Sequence, residues 1–525
     1  RGSEDSWTTT PKELDAVTAA ARQAEGGQRQ ETPPPQFGGG GTDRKLFDQI
    51  LRDPARRDPR GYVIPASQPD FPTATKFVNA LIKSGVDVHR ATSAFSAGGK
   101  QYQAGSYVVK TAQAFRPHVL DMFEPQDYPN DLQYPGGPPK APYDNAGYTL
   151  AMSMGVVYDR ILDPFDGPFE KVPDLLAKAP GGAVAGGGGW LLSGRYNDAI
   201  TAVNRLLAAK VSVSRLGRDA VGYPAGSFYI PGGGAKAVVD RLAEEKGLRF
   251  ESASSPGTAA VPLKPVRVAL WDQYGGSMPS GWIRWLLEQM EVPFTVVYPG
   301  RLDAGDLRKD FDVLIFPDGG IPAPQGGVAM GAFGRQPAAD EIPAEYRDRL
   351  GRVTAEKTVP QLKAFLEAGG RIVAIGSSTA LARHLDLPVT SHLVERTSGG
   401  QVRNLPRDKF YVPASLLEVA VDTTAAVAWG MPSKSLVLFD ESPVFDLDPG
   451  AIVSGQVKPI AWFASAQPLR SGWAWGQAYL EGGIAAAEAK VGRGTLYLFG
   501  PEITFRAQPH GTFKLLFNAI MNAGM

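Results

Sequence analysis

The first half of the chain repeats one order of secondary-structure elements, and this repeat limits what it can fold into. Tyr62 begins a short apolar strand that is followed by a helix, a strand and a further strand, and the same order begins again at Trp190. The copies share residues at matching places: Val78-Asn79 with Val203-Asn204, Arg90 with Arg215, and Tyr-x-Ala-Gly-Ser-aromatic in each. Each copy predicts a small β-α-β-β module, with an added helix over residues 235–245 in the second. Two such modules can share one sheet or pack face to face.

The Ala-Gly-Ser motif occurs once in each copy, as Ala104-Gly105-Ser106 and Ala225-Gly226-Ser227. A glycine shortly before a strand often supplies a backbone conformation that other residues adopt with difficulty. Because duplication accounts for both occurrences, we interpret the motif as a turn requirement rather than as a catalytic serine.

Changes in composition divide the chain into five parts. Residues 1–42 begin with a helix from Thr10 to about Gln23, whose start carries a capping box, and end in a Pro- and Gly-rich linker. The two α/β modules are placed at residues 43–123 and 190–262, and a connector occupies residues 124–189. Residues 263–525 form the last part.

The connector combines many prolines and glycines with aromatic side chains that need burial. The aromatic residues are Tyr128, Tyr134, Tyr143, Tyr148, Phe165 and Phe169. Contiguous apolar surface on a soluble protein usually marks an interface. We therefore expect the connector to be ordered and to lie against another domain, within the chain or outside it.

From Val266 onward, apolar strands alternate with helices. Residues 266–271 and 312–317 are nearly continuous apolar runs, which are typical of strands buried in a parallel sheet. Helices are expected over residues 280–290 and 358–368, and further strands over residues 294–298, 371–376 and 495–500. This alternation predicts a doubly wound parallel-sheet domain. The fold class of the whole chain is therefore α/β, with duplicated small modules followed by a doubly wound sheet.

Charge and composition exclude several classes of function. Lys plus Arg and Asp plus Glu both number 54, so the formal net charge is zero and no overall field attracts nucleic acid or an anionic membrane. The absence of cysteine excludes disulfides, thiol catalysis and cysteine-based metal sites. No apolar stretch approaches the roughly 20 residues that span a bilayer. The chain starts at Arg1 without an initiator Met, which suggests a start inside a longer reading frame, a processing site or a tag remnant.

Two strand ends in the last part resemble the catalytic motifs of class I glutamine amidotransferases. That family has a Gly-x-Cys-x-Gly nucleophile elbow after one strand and Phe-His-Pro-Glu after a later one; this chain has Gly376-Ser377-Ser378-Thr379-Ala380 and Phe499-Gly500-Pro501-Glu502. The resemblance implies that Ser378 replaces the nucleophile, that glycine replaces the histidine, and that Glu502 alone remains. A serine nucleophile needs a base to remove its proton, and His384, on the helix after the elbow, is expected to point away. We therefore expect a catalytically dead domain.

Two patterns are possible metal ligands. His392-x-x-Glu395 with His510 far downstream is the ligand pattern of zinc carboxypeptidases, and zinc catalysis needs three protein ligands and an open position. The pattern follows a helix and loop without the basic and aromatic cluster of a substrate site, so we interpret it as a coincidence. We expect neither a metal nor another cofactor in this chain.

The second pattern is an acidic segment that could bind calcium. It contains Asp440, Glu441, Asp446 and Asp448. The spacing differs from an EF-hand loop and prolines interrupt it, so a solvated acidic loop is the preferred interpretation.

Several longer sequence segments resemble the region C-terminal to the catalytic domain of large secreted bacterial zinc-carboxypeptidase-like proteins. They are residues 58–62 (DPRGY), 68–75 (QPDFPTAT), 112–118 (AQAFRPH), 122–127 (MFEPQD), 165–168 (FDGP) and 508–513 (QPHGTF). The resemblance covers nearly the whole chain and implies a secreted or periplasmic parent protein with an upstream zinc peptidase domain. The family's zinc ligands belong to that upstream domain, so no catalytic residue is carried over.

Three functions are compatible with these observations. The first is an accessory or scaffold region that packs against or positions the peptidase domain, or a neighbouring subunit in an oligomer. The second is a free-standing serine-type hydrolase that uses Ser378, Glu502 and an unforeseen base. The third is a polysaccharide- or peptide-binding module that uses exposed aromatic residues such as Trp473, Trp475 and Tyr134.

Overall fold

The computed structural model describes residues 2–24, 44–176, 179–220, 222–257, 260–324 and 336–525. Over these ranges the chain is a mixed α/β protein with several sheets. The helices are α1 (Pro11–Ala24), α2 (Arg44–Leu51), α3 (Phe71–Lys83), α4 (Arg116–Phe123), α5 (Leu150–Ser153), α6 (Ala199–Ala208), α7 (Lys236–Lys246), α8 (Met278–Gln289), α9 (Pro299–Asp303), α10 (Leu307–Asp310), α11 (Thr358–Glu367), α12 (Leu381–His384), α13 (Pro449–Val453) and α14 (Phe513–Met521). Over the described ranges, none of these helices is both long and apolar enough to cross a membrane.

The N-terminal helix starts as its sequence predicts. The backbone N–H of Thr10 donates to the Glu13 carboxylate at 2.9 Å, and the N–H of Glu13 donates to the Thr10 hydroxyl at 3.4 Å. This reciprocal pair is the predicted capping box, and it is confirmed. The predicted linker up to residue 42 lies almost entirely outside the described residues.

The first sheet is antiparallel and has the strand order β6-β1-β5-β2-β7. The strands of this region are β1 (Gly61–Ile64), β2 (His89–Ala91), β3 (Phe95–Ala97), β4 (Lys100–Tyr102), β5 (Tyr107–Lys110), β6 (Asp159–Ile161) and β7 (Phe169–Lys171), with β3 and β4 forming a separate hairpin. All four residues of β1 are buried, and α3 packs its apolar face on this sheet.

The second sheet repeats this order. Its strands are β8 (Ala183–Val184), β9 (Gly189–Leu192), β10 (Ser214–Leu216), β11 (Phe228–Pro231), β12 (Arg249–Ser252) and β13 (Ala260–Pro262). The order is β8-β12-β9-β11-β10-β13, so the antiparallel part, β12-β9-β11-β10-β13, corresponds strand for strand to the first sheet. β8 is an added parallel edge strand.

The registers of the two sheets also correspond. Ile64 lies opposite Tyr107 across β1 and β5, and Leu192 lies opposite the equivalent Phe228 across β9 and β11. Arg90 lies opposite Tyr107 on the other side of β5, as Arg215 does to Phe228. The five-strand unit of the first sheet thus runs from residue 61 to residue 171, well past the predicted boundary at residue 123.

The predicted connector, residues 124–189, has two structural parts. Residues near 126–149 lie against the last part of the chain, as shown by the bonds from the Gln126 N–H to the Ser471 hydroxyl at 2.9 Å and from the Gly147 N–H to the Ala414 carbonyl at 3.0 Å. Residues 159–161 and 169–171 are strands of the first sheet. The first part thus contacts the last part of the chain, while the division of the chain that defines the connector stays a prediction.

Burial of the connector aromatics differs from the expectation. Tyr128 stacks on Trp473, with ring centroids 5.5 Å apart, and Phe165 and Phe169 pack on the outer face of the first sheet. Three tyrosines are exposed instead: Tyr134, Tyr143 and Tyr148. The expectation that these three need burial is therefore wrong.

The third sheet spans the last part of the chain. Its strands and the adjoining hairpin are β14 (Val268–Trp271), β15 (Phe294–Val297), β16 (Val313–Phe316), β17 (Arg371–Ile375), β18 (Val389–Ser391), β19 (Val394–Arg396), β20 (Val402–Asn404), β21 (Ser415–Val421), β22 (Lys434–Phe439), β23 (Phe445–Leu447), β24 (Val457–Trp462), β25 (Leu469–Ser471), β26 (Ile484–Val491) and β27 (Gly494–Phe499). The predicted helices and strands of this part are all present, with ends that differ by one or two residues.

Half of this sheet is parallel and half is antiparallel. β15, β14, β16, β17 and β27 are parallel neighbours in that order. The sheet continues through β26, β24, β21 and β22 with antiparallel pairing, which the sequence did not predict. Apolar residues from α8 and α14 pack on one face of the parallel strands, and residues from α9, α10 and α11 pack on the other. The parallel strands are buried on both faces, which explains their continuous apolar runs.

We call the parts of the chain that form the first, second and third sheets the first, second and third units. The three units meet at one buried asparagine. The backbone N–H of Asn197, on the loop before α6, donates to the Asp70 carboxylate at 2.8 Å, and its side-chain amide donates to the His510 carbonyl at 2.9 Å. Its side-chain oxygen accepts a bond of 2.8 Å from Lys514. Beside it, Lys76 of the first unit pairs with Asp198 of the second at 2.6 Å. Asn197 of the second unit therefore forms hydrogen bonds with both the first unit and the third unit.

Candidate functional site at the ends of the parallel strands

The loops that follow β16, β17 and β27 converge on one place at the carboxyl edge of the parallel strands. In open α/β sheets this edge is the usual position of ligand and catalytic sites. An ideal Cβ atom built on Gly376, directly after β17, would lie 2.5 Å from an Asp318 carboxylate oxygen and 2.8 Å from a Glu502 carboxylate oxygen. Asp318 follows β16 and Glu502 follows β27, so three strand ends supply the site.

Gly376 has a left-handed backbone conformation, with φ at +58°. A sharp turn of this kind after a strand is where α/β hydrolases expose their nucleophile. Here the residue at the turn has no side chain, and its missing Cβ points at the two carboxyl groups. The position that faces Asp318 and Glu502 is thus Gly376, two residues before the serine that the motif alignment selected.

Ser378 lies in the interior and its hydroxyl is fully engaged. Its Oγ accepts bonds of 3.0 Å from the backbone N–H groups of Gly320 and Ile321 and donates to the Pro317 carbonyl at 2.5 Å. Ser378 therefore fastens the loop after β16 to the turn after β17. Ser377 is exposed, but its Oγ accepts a bond of 2.9 Å from the Gly319 N–H, and its own N–H donates to Asp318.

The surroundings of Glu502 favour the protonated form of its carboxyl. Burial, followed by the negative charges of Asp318 and Asp440, raises the pKa of Glu502 to about 8. Burial also raises the pKa of Asp440, although the carboxylate accepts a bond of 3.0 Å from the Ala414 N–H. A protonated carboxyl can donate a hydrogen bond or a proton, whereas an ionised one can only accept.

The residues of the predicted zinc pattern have other partners. His392 contacts the Asp446 carboxylate at 2.7 Å through Nδ1 and the Tyr479 carbonyl at 3.0 Å through Nε2. Glu395 accepts bonds from Lys409 at 2.5 Å and Arg403 at 2.9 Å, and these two bonds lower its pKa.

His510 lies at the junction of the three units, away from the other two residues of the pattern. Its ring stacks near Phe513, with centroids 4.6 Å apart, and burial, with Lys76 and Lys514 nearby, lowers its pKa to about 3. Within the described ranges, no three or more His, Asp or Glu side chains are grouped as a metal site requires.

The carboxylates of the predicted acidic loop are also bonded to other groups of the chain. Asp440 and Asp446 make the contacts given above, Asp448 accepts a bond of 2.8 Å from the Ala451 N–H at the start of α13, and Glu441 lies 3.3 Å from Arg407. Each of the four carboxylates has its own partner.

The predicted aromatic binding surface is only partly exposed. Trp473 is 2% exposed and donates a bond of 2.9 Å to the Asn130 side chain, so the expectation that it is exposed is wrong. Trp475 donates to the Asp408 carbonyl at 2.9 Å and is partly buried, whereas Tyr134 is exposed. The three rings do not form one exposed platform.

Sequence reasoning selected Glu502 but missed Asp318, and it named Asp440 only as part of an acidic loop and Gly376 only as the first residue of the elbow motif. Asp318 stands in Pro317-Asp318-Gly319-Gly320 directly after a buried strand, and an acidic residue at a strand end was the signal available for it. Asp440 follows β22 in the antiparallel half, whose position next to the site depends on the sheet topology.

Comparisons with known proteins give only partial likenesses. No family model and no curated protein matches the chain. A β-galactosidase from Bacillus circulans sp. alkalophilus is 9% identical with a TM-score of 0.26, over 49% of this chain and 30% of that enzyme. The chain therefore spans less than a third of the length of that enzyme.

Two smaller proteins are matched over most of their length. A protein named as a GMP synthase subunit, from Thermoplasma acidophilum, is 12% identical with a TM-score of 0.28, over 49% of this chain and 96% of that one. A ThuA-like protein from Bacteroides uniformis is 10% identical with a TM-score of 0.27, over 51% and 94%. At these TM-scores the likenesses define neither the fold nor the function of the chain.

Proposed function

We propose that the chain is a non-catalytic accessory region of a larger, secreted or periplasmic zinc-carboxypeptidase-like protein, where it packs against or positions the peptidase domain or its substrate. In this proposal the first two units are duplicated modules, and the third is a degenerate, doubly wound class I glutamine amidotransferase-like domain. Zinc belongs to the peptidase domain. The observation that carries the proposal is the junction around Asn197, which joins the three units in one body.

The junction supports a scaffold because its polar groups fix the relative positions of the units. Asn197 and Lys514 are buried and bonded to each other; burial lowers the pKa of Lys514, and the nearby Asp70 and Asp198 carboxylates oppose this shift. Removing one member of these bonds while the junction stays closed would leave a buried polar group without a partner, which costs free energy. A body of fixed shape is what a positioning role needs.

The geometry after β17 supports the non-catalytic part of the proposal. Covalent catalysis needs a nucleophile beside a base. The turn position that faces Glu502 is a glycine, and the serine that the motif alignment selected, Ser378, is enclosed and bonded on all sides. The corresponding strand order and registers of the first two sheets support their origin by duplication.

Binding to the peptidase region is the direct test. The chain and the metallopeptidase region of the proposed parent, produced separately, should form a stoichiometric complex at micromolar concentrations in sedimentation or calorimetric titration. The complex should also alter the rate at which the peptidase region cleaves a peptide substrate. Absence of a complex, or hydrolysis by the isolated chain that is lost in Glu502→Gln, would refute the proposal.

A further inference from the structure

The same arginine stands at the same place in the first two sheets, but its surroundings differ. Arg90 lies on β2 and Arg215 on β10, each directly opposite an aromatic residue of the neighbouring strand. The glycine beside each arginine also has the same conformation, with φ +90° at Gly105 and +86° at Gly226. The backbone positions of the two arginines are equivalent, so the residues that cover one arginine indicate what kind of group could cover the other.

Arg215 is covered by the third unit. It is 1% exposed, and its guanidinium donates bonds of 2.9 Å to the Asn522 side chain and 2.5 Å to the Asn518 side chain. The guanidinium also lies 4.8 Å from the centre of the Trp429 ring. The same Trp429 closes the space over Gly226, where an ideal Cβ would lie 2.5 Å from the Trp429 Cβ.

Arg90 is exposed, and no described residue forms a hydrogen bond or an ion pair with its side chain. Among the residues that the structure describes, an ideal Cβ on Gly105 would meet within 4 Å only the Ala66 Cβ and an Arg90 nitrogen, both at 3.8 Å. The space that Trp429 fills over the second sheet is therefore open over the first. We call this open place, formed by Arg90, Gly105 and Ala66, the Arg90 socket.

We propose that the Arg90 socket is the surface through which the chain binds a partner protein domain. The partner places an aromatic ring over Gly105 and presents amide or carboxylate oxygens to Arg90, because a ring covers Arg215 and two amide oxygens accept bonds from its terminal nitrogens in the equivalent place. Guanidinium groups recognise planar oxygen pairs and stack on aromatic faces. A second copy of this chain cannot offer the same groups, since its own Arg215 already occupies them. The inference rests on the proposed function and names the binding surface.

Arginine-specific labelling tests this surface directly. Phenylglyoxal, followed by peptide mass spectrometry, should modify Arg90 in the free chain and leave the buried Arg215 unmodified. When the metallopeptidase region is bound, Arg90 should be protected, while the exposed Arg241 on α7 should react as before. Protection of Arg90 that arises from self-association of the free chain would overturn the choice of partner.

A matched pair of variants gives the second measurement. Arg90→Ala should weaken the complex about tenfold or more, as loss of an interface arginine commonly does, whereas Arg241→Ala should change the affinity less than about twofold. A complex in which Arg90 still reacts and Arg90→Ala binds like the unchanged chain overturns the Arg90 socket and leaves the accessory function standing. If no complex forms, both the socket and the proposed function fail.

Discussion

Replacing Glu502 with glutamine should stabilise the protein at alkaline pH. The pKa of this carboxyl is raised from 4.5 to about 8, mainly by burial and then by Asp318 and Asp440. Below pH 4.5 the group is protonated in both the folded and the unfolded chain and costs nothing. Between pH 4.5 and about 8 only the folded chain keeps the proton, so stability falls as the pH rises. Glutamine does not titrate, so the Glu502→Gln variant avoids this loss.

The size of the change in the free energy of unfolding follows from the pKa shift of Glu502. A pKa unit corresponds to about 1.4 kcal/mol, so the full shift would be worth about 5 kcal/mol above pH 8. Relaxation of the folded state and the solvent that still reaches the carboxyl reduce this value. We expect a gain in the free energy of unfolding of about 1–3 kcal/mol at pH 9 relative to the difference at pH 5.

Urea unfolding at pH 5 and pH 9, followed by tryptophan fluorescence, measures the difference between the variant and the unchanged protein. Glu481→Gln, at an exposed glutamate, is the control and should show no pH-dependent gain. If Glu502→Gln has the same effect at both pH values, or is less stable at pH 9, the carboxyl is not held neutral and the reasoning from burial is wrong.

Three other outcomes are expected. Phe165→Ala with Phe169→Ala should destabilise the outer face of the first sheet by about 1–3 kcal/mol, less than for fully buried rings, and speed proteolysis between residues 159 and 171, whereas Tyr143→Ala should not. Ser378→Ala should lower the free energy of unfolding by about 1–3 kcal/mol, since two N–H groups lose their acceptor. A fluorophosphonate probe should leave Ser378 of the unchanged protein unlabelled, and labelling would contradict the enclosure of this serine. The dialysed chain should contain no stoichiometric zinc by elemental analysis, and one zinc per chain that is lost in His392→Ala would contradict the pairing of His392 with Asp446.

Elements with strong local signals were predictable from the sequence. The capping box at Thr10 and the continuous apolar strands of the third sheet are set by neighbouring residues and by burial on both faces. Strands β6 and β7 escaped prediction because each has only three residues, partly exposed, in a stretch rich in Pro and Gly. Their pairing with β1 and β2 is decided by contacts about 80–100 residues away in sequence.

The candidate site was predictable only in part for a similar reason. Glu502 follows a recognisable strand end, but its neighbours Asp318 and Asp440 come from other strands of the sheet. At the turn after β17 the motif alignment selected Ser378, whereas Gly376 faces the carboxyl groups. The backbone angle of Gly376, and not the spacing of the serines, decides which position faces them.

The placement of the last strand and helix has a consequence for how the chain folds. β27 lies between β17 and β26 in the middle of the third sheet, and every residue of α14 is buried. Lys514 and Asn518, which contact the second unit, also come from this end of the chain. During synthesis neither the third sheet nor the junction can close until β27 and α14 have emerged, so the earlier units remain unpaired in the meantime. A chain cut off before residue 494 would lack β27 and α14, and quality-control proteases would treat its incomplete core as unfolded.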